Sequence, residues 1–190
     1  MIKGYACHVL LIILAVLLSA CQSTQFAYEK ARIKHSEQPA KTKNRVEVYC
    51  SGAVNCEFAR LDKLSIVDEK NKRINPVAIK QGYIGLTGAA QDRNALFLKI
   101  SAEQHELAIR FYPISPQYAE TFYIIHRFTP KHRYTFKLYR QRIAGTGSLL
   151  NVSAPTPLCI DLLQDQKTIR RFCRPYNSLT GVSEFVELKI

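Results

Sequence analysis

The chain has 190 residues, with 27 Lys and Arg against 15 Asp and Glu, which gives a formal net charge of +12. A chain of this length forms one domain and buries enough apolar surface to fold without a structural metal. The surplus of positive charge predicts an anionic partner, such as nucleic acid, an anionic membrane or an acidic protein.

The first 20 residues have the pattern of a secretory signal peptide. Lys3 supplies a positive charge, and residues 9–18 form an apolar run that is followed by small residues. The run is about half the length of roughly twenty residues that a membrane span requires, so it predicts a cleaved signal. Export excludes nucleic acid as a partner and leaves lipid headgroups, lipopolysaccharide phosphates and peptidoglycan carboxylates. Because Lys3 is the only Lys, Arg, Asp or Glu residue removed, the mature chain keeps a net charge of +11, one less than the full chain.

The segment Leu18-Ser19-Ala20-Cys21 resembles the lipobox of bacterial lipoproteins. The resemblance implies cleavage before Cys21, lipidation of Cys21 with acyl chains such as palmitate, and attachment to a membrane. Gln22, where Asp would retain a lipoprotein in the inner membrane, is similar to the class sorted to the outer membrane. The expected location is therefore the periplasmic side of the outer membrane. The alternative is an ordinary signal peptide with a chance cysteine at its boundary.

Residues 21–44 are predicted to form the acylated N-terminus and a flexible tether, and residues 45–190 the folded domain. The tether is polar, basic and poor in aliphatic residues, and Pro39 interrupts it. Residues 26–35 have enough helical pattern for one or two turns, but we expect none of them to anchor a core. A flexible segment of about 23 residues spans roughly 25–30 Å on average.

From Arg45 onward, apolar residues recur with the period of two that is typical of β-strands. The clearest strand is Gln104–Tyr112, where every second residue from His105 to Phe111 falls on one face. The other predicted strands cover residues 45–50, 56–60, 63–67, 77–86, 95–100, 121–128, 133–142, 148–152, 158–163, 168–174 and 182–188. Short strands without a long helical pattern predict an all-β fold, a single antiparallel β-sandwich that is Ig-like or a related barrel.

Residues 122–142 combine cations and aromatic side chains and contain no acidic residue. The strands 121–128 and 133–142 flank Thr129-Pro130-Lys131-His132, which predicts a hairpin, here called the basic aromatic hairpin. On its second strand Arg133, Lys137 and Tyr139 fall on one face, and Tyr134, Phe136 and Leu138 fall on the other. The candidate cations for an anionic surface are Arg127, Lys131, Arg133, Lys137, Arg140 and Arg142. The alternative is a solvated outer face over a packed inner face.

Four cysteines remain in the mature chain besides Cys21, an even number that predicts disulfides in an oxidising compartment. A hairpin centred on Gln166 places Cys159 opposite Cys173, within reach of a disulfide. The same register places Asp161 opposite Arg171, and Leu163 opposite Ile169. One register thus yields a cysteine pair, an ion pair and an apolar pair.

Cys50 and Cys56 lie on either side of a short turn, which predicts a second hairpin disulfide. A four-cysteine zinc site requires only two to four residues between paired ligands, and the gaps here are longer. A redox pair requires Cys-x-x-Cys, which does not occur.

The sequence contains no recognised catalytic motif. Gly145-Thr146-Gly147-Ser148 is not the Gly-x-Ser-x-Gly turn of a nucleophilic serine. Residues 158–161 are similar in outline to the cysteine segment of L,D-transpeptidases, but the glycine before the cysteine and the upstream His-Gly are missing. His105 is predicted to be a hydrogen-bonded core or sheet-end residue. We therefore predict no enzyme activity, no metal site and no cofactor, with a periplasmic hydrolase as the alternative.

Residues 105–111 and 128–134 together resemble the Gly-x-His … Gly-x-x-Tyr pattern of PEGA-like β-sandwich domains in envelope lipoproteins. Gln104 stands where that family has glycine, and Lys131 and His132 replace the second glycine. The resemblance implies a small β-sandwich that binds or displays and carries no catalytic residue.

These features predict a non-enzymatic, lipid-anchored envelope protein that acts as a binding or accessory factor. The expected partners are the membrane, reached through the lipid on Cys21, and anionic lipid, lipopolysaccharide or peptidoglycan, contacted through the basic aromatic hairpin. The alternative is an adapter that binds a protein partner in an envelope or secretion assembly.

Overall fold

The computed structural model describes residues 30–36, 44–88, 94–141, 157–175 and 183–190. The predicted signal peptide, Cys21, Arg142 and the predicted strand 148–152 lie outside these residues. Residues 30–36 form helix α1, and Pro76–Lys80 form helix α2. The strands are β1 Arg45–Ser51, β2 Asn55–Leu61, β3 Leu64–Ser65, β4 Ile84–Leu86, β5 Leu96–Ser101, β6 Gln104–Tyr112, β7 Glu120–Arg127, β8 Arg133–Arg140, β9 Leu158–Gln164, β10 Lys167–Arg174 and β11 Val186–Leu188.

The described strands form two sheets and do not close into a barrel. One sheet has seven strands in the order β11-β10-β9-β8-β1-β5-β4, and the other has four in the order β3-β2-β6-β7. Side chains of both sheets belong to one core. The ring of Phe122 on β7 lies 6.2 Å from that of Phe136 on β8 and 5.0 Å from that of Phe172 on β10. The prediction of a mostly β domain is therefore confirmed.

The predicted strand Gln104–Tyr112 is confirmed with the same bounds as β6. The residues of its predicted core face, from His105 to Phe111, are all buried. The opposite face of β6 is less exposed to solvent than expected, because Ala108 and Arg110 are buried as well. Their burial shows that the outer side of the four-stranded sheet is partly covered.

The basic aromatic hairpin predicted from the sequence does not form, because β7 and β8 belong to different sheets. Residues 129–132 carry the chain from one sheet to the other. Phe128 and Tyr134, on either side of this connection, are each 1% exposed, and their rings meet edge-on at 4.9 Å. The backbone N–H of Thr129 donates to the Tyr134 hydroxyl at 3.0 Å. Because both aromatic rings are buried in the core, residues 129–132 cross between the two sheets and do not form a hairpin turn.

The pairing of β1 with β8 is parallel, which corrects the prediction of an entirely antiparallel domain. In this pair Val48 lies beside Tyr134, and Cys50 beside Phe136. Because β8 enters this sheet from the other one, it does not have to run antiparallel to the strand that it pairs with. β8 therefore adds to the edge of β1 that β5 leaves unpaired.

Both predicted disulfides are present, with S–S distances of 1.96 Å for Cys50–Cys56 and 2.06 Å for Cys159–Cys173. The second joins opposed residues of the β9–β10 hairpin, as predicted. The first is not a hairpin disulfide, because β1 and β2 lie in different sheets. It links the two sheets at the point where the chain crosses between them.

The predicted register of the β9–β10 hairpin holds except near its turn. Asp161 lies opposite Arg171, as predicted. Leu163 lies opposite Thr168 and not opposite Ile169, because the register shifts between Thr168 and Arg170. A local bulge of this kind inserts one residue on one strand only, so the register beyond it differs from that of an ideal hairpin centred on Gln166.

The predicted strand 77–86 is a helix in its first half and a strand only at Ile84–Leu86. The Asn75 side chain accepts a hydrogen bond from the Val77 backbone N–H at 2.9 Å, and Pro76 occupies the first turn. An Asn cap followed by proline is a helix start signal that outweighs the weak strand pattern.

The segment predicted as a tether contributes one residue to the core. Ile33, on α1, is 1% exposed and belongs to the core cluster. The Ser36 hydroxyl, at the end of the described helix, donates to the Ile33 carbonyl at 2.8 Å. This corrects the expectation that no residue of this segment anchors a core, because one aliphatic residue on a helical turn is enough to dock it.

Candidate functional site

Arg133 and Lys137 lie on the outer face of the seven-stranded sheet, as the alternation of β8 predicts. Both side chains are exposed, whereas Tyr134, Phe136 and Leu138 between and beside them are buried. Among the described residues neither cation has a carboxylate within ion-pair distance. The predicted separation of β8 into a charged and an apolar face is therefore confirmed.

The structure does not place Arg127, Lys131 or Arg140 on this face, and Arg142 lies outside the described residues. Arg127 ends β7 in the four-stranded sheet, and Lys131 lies in the connection between the sheets. Arg140 is exposed at the end of β8, but by the alternation of the strand it lies on the opposite face from Arg133 and Lys137. Of the candidate cations in the described part of the chain, Arg133 and Lys137 are the pair that share one surface.

The later arginines of β10 are engaged in ion pairs within the protein. Arg170, Arg171 and Arg174 bind Glu187, Asp161 and Glu120 respectively, with shortest N–O distances of 2.6, 2.7 and 2.6 Å. Their charge is therefore balanced in the fold and adds little to a surface for an external anion.

An aromatic stack holds Arg133 in place. Its guanidinium carbon lies 3.8 Å from the centroid of the Tyr49 ring, and the Tyr49 ring stacks on Phe97 at 4.7 Å. A Cβ on Gly85 would lie 2.2 Å from a ring carbon of Phe97, so glycine is required where the Phe97 ring covers the strand. The stack runs across β4, β5, β1 and β8, and we call these four residues the Arg133 stack.

Tyr49 remains neutral at physiological pH. Burial and the hydrogen bond from its hydroxyl to Glu47, at 2.6 Å, raise the pKa of Tyr49 to about 12. A neutral phenol ring presents its π-face to the Arg133 guanidinium, which is the geometry of a cation–π contact.

Beside the Arg133 stack is an open depression of about 430 Å³, lined by Arg133, Thr135, Asp165 and Gln166. Asp165 and Gln166 form the two-residue turn of the β9–β10 hairpin, with φ of 48° and 72°. The Asp165 carboxylate accepts a hydrogen bond from the Arg133 backbone N–H at 2.9 Å and a second from the His132 ring. These two contacts lower the pKa of Asp165, so its carboxylate is ionised at neutral pH.

Ser101, His105 and Asp62 come together where the chain crosses from β5 in one sheet to β6 in the other. His105 Nδ1 lies 2.8 Å from Asp62 Oδ2, and His105 Nε2 lies 3.1 Å from Ser101 Oγ. The order of atoms is that of a nucleophilic serine triad. However, the single proton of the Ser101 hydroxyl is donated to the Glu103 carboxylate, and Nε2 also lies 3.2 Å from the Ser101 carbonyl oxygen. His105 is thus the buried, hydrogen-bonded histidine that its strand position predicts.

Apart from Arg133, the residues that line or support the depression were not predicted as site residues from the sequence. Tyr49 and Phe97 alternate within their strands like any outer-face residue, and Asp165 reads as an ordinary turn residue. Their proximity to Arg133 depends on the order of the strands in the sheet. The one local signal was the turn centred on Gln166, which places Asp165 at the end of the hairpin.

Among the described residues there is no group of three or more His, Cys, Asp or Glu side chains that could hold a metal ion. In the described part of the chain, no helix has the length and apolar character of a membrane span. The chain matches no family model, no curated protein and no solved structure.

Proposed function

We propose that this protein is a lipid-anchored envelope protein that binds an anionic component of the bacterial cell envelope without chemical turnover. The observation that supports this most directly is the outer face of β8. There, two exposed cations, Arg133 and Lys137, have no acidic partner among the described residues. A mature chain with a net charge of +11 whose β10 arginines are neutralised internally presents its accessible charge elsewhere, on surfaces such as this one.

Binding to peptidoglycan or to anionic lipid is tested by charge reversal on this face. We expect the double variant Arg133→Glu/Lys137→Glu to weaken cosedimentation with purified sacculi or with phosphatidylglycerol vesicles. A surface-proximal cation contributes about 1 kcal/mol toward an anionic membrane, so loss of two predicts a decrease of roughly 30-fold or more.

The matched control is Lys63→Glu/Lys70→Glu, which changes the net charge equally at two exposed lysines in the turns before and after β3 of the other sheet. Equal losses in both double variants would mean that only net charge matters, and the proposed surface would be rejected. Binding should also fall as salt is raised, because exposed charges are screened within about 10 Å at 0.1 M salt.

The lipid anchor is proposed on Cys21 and is the basis for the expected outer-membrane location. In cells given an alkyne analogue of palmitate, the wild-type chain should incorporate the label and fractionate with the outer membrane. The variant Cys21→Ser should not be labelled. A labelled Cys21→Ser chain, or an unlabelled wild-type chain, would rule out lipidation at this position.

For the fold we infer a β-sandwich in which the two sheets face one another across the shared core. The contacts of Phe122 with Phe136 and Phe172, and the disulfide between β1 and β2, support this arrangement. It agrees with the PEGA-like resemblance, which is proposed on the same basis.

A protein-partner adapter is the second candidate, and salt distinguishes the two. An adapter copurifies with a protein that remains bound at high salt, whereas binding to an anionic surface is lost. The absence of catalysis is tested with a fluorophosphonate probe: we expect Ser101 to stay unlabelled, because its hydroxyl proton is directed to Glu103 and not to His105. Labelling that disappears in His105→Gln would instead establish a hydrolase.

A further inference from the structure

The Arg133 stack orients a guanidinium before any ligand arrives. Tyr49 covers one face of the Arg133 side chain at 3.8 Å, and Phe97 supports Tyr49 from the next strand. Phe97 in turn is held over Gly85, where no other residue leaves room for its ring. A side chain fixed in this way loses less conformational freedom on binding than a free surface arginine, which favours affinity.

The stacking contact leaves the hydrogen-bonding edge of Arg133 free. A guanidinium stacks through its face and donates through N–H groups that lie in its plane. In the part of the chain that the structure describes, no carboxylate lies within ion-pair distance of these N–H groups. The planar edge matches the two oxygens of a carboxylate, which it binds through parallel hydrogen bonds.

Asp165 gives the depression a second, opposite charge. Its position is fixed by the Arg133 backbone N–H and by His132, and the positive φ of the turn places it at the tip of the hairpin. Each carboxylate oxygen has more than one lone pair, so Asp165 can accept a further hydrogen bond from a ligand. A site with Arg133 and Asp165 together favours a ligand with both charges over a simple polyanion, which Asp165 would repel.

We propose that the depression lined by Arg133, Thr135, Asp165 and Gln166 binds a ligand that carries a carboxylate and an ammonium group together. In the cell envelope this chemistry belongs to the free amino-acid end of a peptidoglycan stem peptide. The carboxylate pairs with the Arg133 guanidinium, the ammonium donates to Asp165, and the Thr135 hydroxyl and Gln166 amide supply neutral hydrogen bonds. This inference rests on the proposed function, because it names the envelope component and the group that is recognised.

The test uses the full-length chain, purified in detergent, and the stem tripeptide L-Ala-γ-D-Glu-meso-diaminopimelate in isothermal titration calorimetry. We expect saturable binding to the tripeptide. The same peptide acetylated on the side-chain amine of diaminopimelate, and inorganic phosphate, should each bind at least about tenfold more weakly, the factor expected for one charge-assisted hydrogen bond.

The variants distinguish binding through the planar guanidinium of Arg133 from attraction by its charge alone. Arg133→Lys keeps the charge but loses the fork and the stack, and should bind the tripeptide at least about tenfold more weakly. Asp165→Asn keeps an oxygen for the Arg133 N–H and should abolish the preference for the free amine. Gly85→Ala should weaken binding by displacing Phe97, with folding checked by circular dichroism. The control Lys63→Gln removes an exposed cation from the turn between β2 and β3 of the other sheet, and should bind within about twofold of wild type.

The outcomes distinguish this inference from the proposed function. A chain that cosediments with sacculi in a manner sensitive to Arg133→Glu/Lys137→Glu, but does not bind the tripeptide, overturns this inference and keeps the proposed function. Phosphate binding as tight as tripeptide binding also overturns it. A third outcome is tight tripeptide binding that depends on Arg133, while cosedimentation with sacculi is unchanged by Arg133→Glu/Lys137→Glu. That result supports the depression as the binding site and rejects the broader charged surface.

Discussion

Replacement of Asp161 by Asn tests the ion pair that fixes the β9–β10 hairpin on the seven-stranded sheet. The Asp161 carboxylate accepts two hydrogen bonds from Arg171, both at 2.7 Å, one from the Tyr139 hydroxyl at 3.1 Å and one from Thr168 at 3.2 Å. Asn keeps the size of the side chain but removes the charge and one acceptor. The variant therefore leaves Arg171 without its counter-charge while the packing stays nearly the same.

The expected loss in the free energy of unfolding is about 1.5–3 kcal/mol, the usual range for hydrogen bonds to charged groups. The upper limit of 3–5 kcal/mol, known for a broken pair that is fully buried, does not apply. The reason is that the Arg171 side chain is 35% exposed, so water solvates part of the guanidinium after the substitution.

The loss should depend on pH. Burial raises the pKa of Asp161, but the hydrogen bonds from Arg171 and Tyr139 lower it by more, so it lies below its ordinary value in the folded chain. Such a carboxyl stabilises the fold above its unfolded pKa of about 3.9, and the contribution is lost as pH falls through the folded value. The difference between wild type and Asp161→Asn should be constant above about pH 5 and should shrink below about pH 4.

The assay is urea unfolding of wild type, Asp161→Asn, Arg171→Gln and the double variant at neutral and acidic pH. We expect the double-mutant cycle to give a coupling free energy of roughly 0.5–3 kcal/mol, because the two side chains are in contact. A loss under about 0.5 kcal/mol at neutral pH, the size of an ordinary surface substitution, would refute the reasoning, as would a loss that does not change with pH.

Two further predictions concern the cysteines and a histidine. Removal of the Cys159–Cys173 disulfide, with a sequence separation of 14, should lower the free energy of unfolding by about 3 kcal/mol, and removal of Cys50–Cys56, with a separation of 6, by about 2.4 kcal/mol. A larger loss for the shorter loop in urea unfolding would show that the link between sheets outweighs chain entropy. For His126, burial and then a neighbouring guanidinium lower the pKa, so NMR titration should place it below 6.5. Stability from neutral His126 should therefore fall as pH drops below that unfolded value; titration above 6.5 would contradict the packing.

The sequence by itself determined most of the described strands, the faces of those strands and the cysteine pairs. These features depend on local periodicity, because side chains alternate at every residue of a strand and opposed residues of a hairpin follow from its centre. The bounds of Gln104–Tyr112, the exposure of Arg133 and Lys137, and the pair Cys159–Cys173 follow from this rule and are confirmed. The two candidate cations on β8 could be predicted from the sequence for the same reason.

Only the tertiary structure decided which strands are neighbours, and with them the composition of the site. A four-residue connection after Phe128 fits a hairpin as well as a crossing between sheets, and local pattern does not distinguish the two. Burial of Phe128 and Tyr134 favours the crossing, and β8 then pairs with β1 and β9. Tyr49 and Asp165 lie beside Arg133 because of that pairing, since contacts between distant segments depend on the burial of the whole core and not on any local sequence signal.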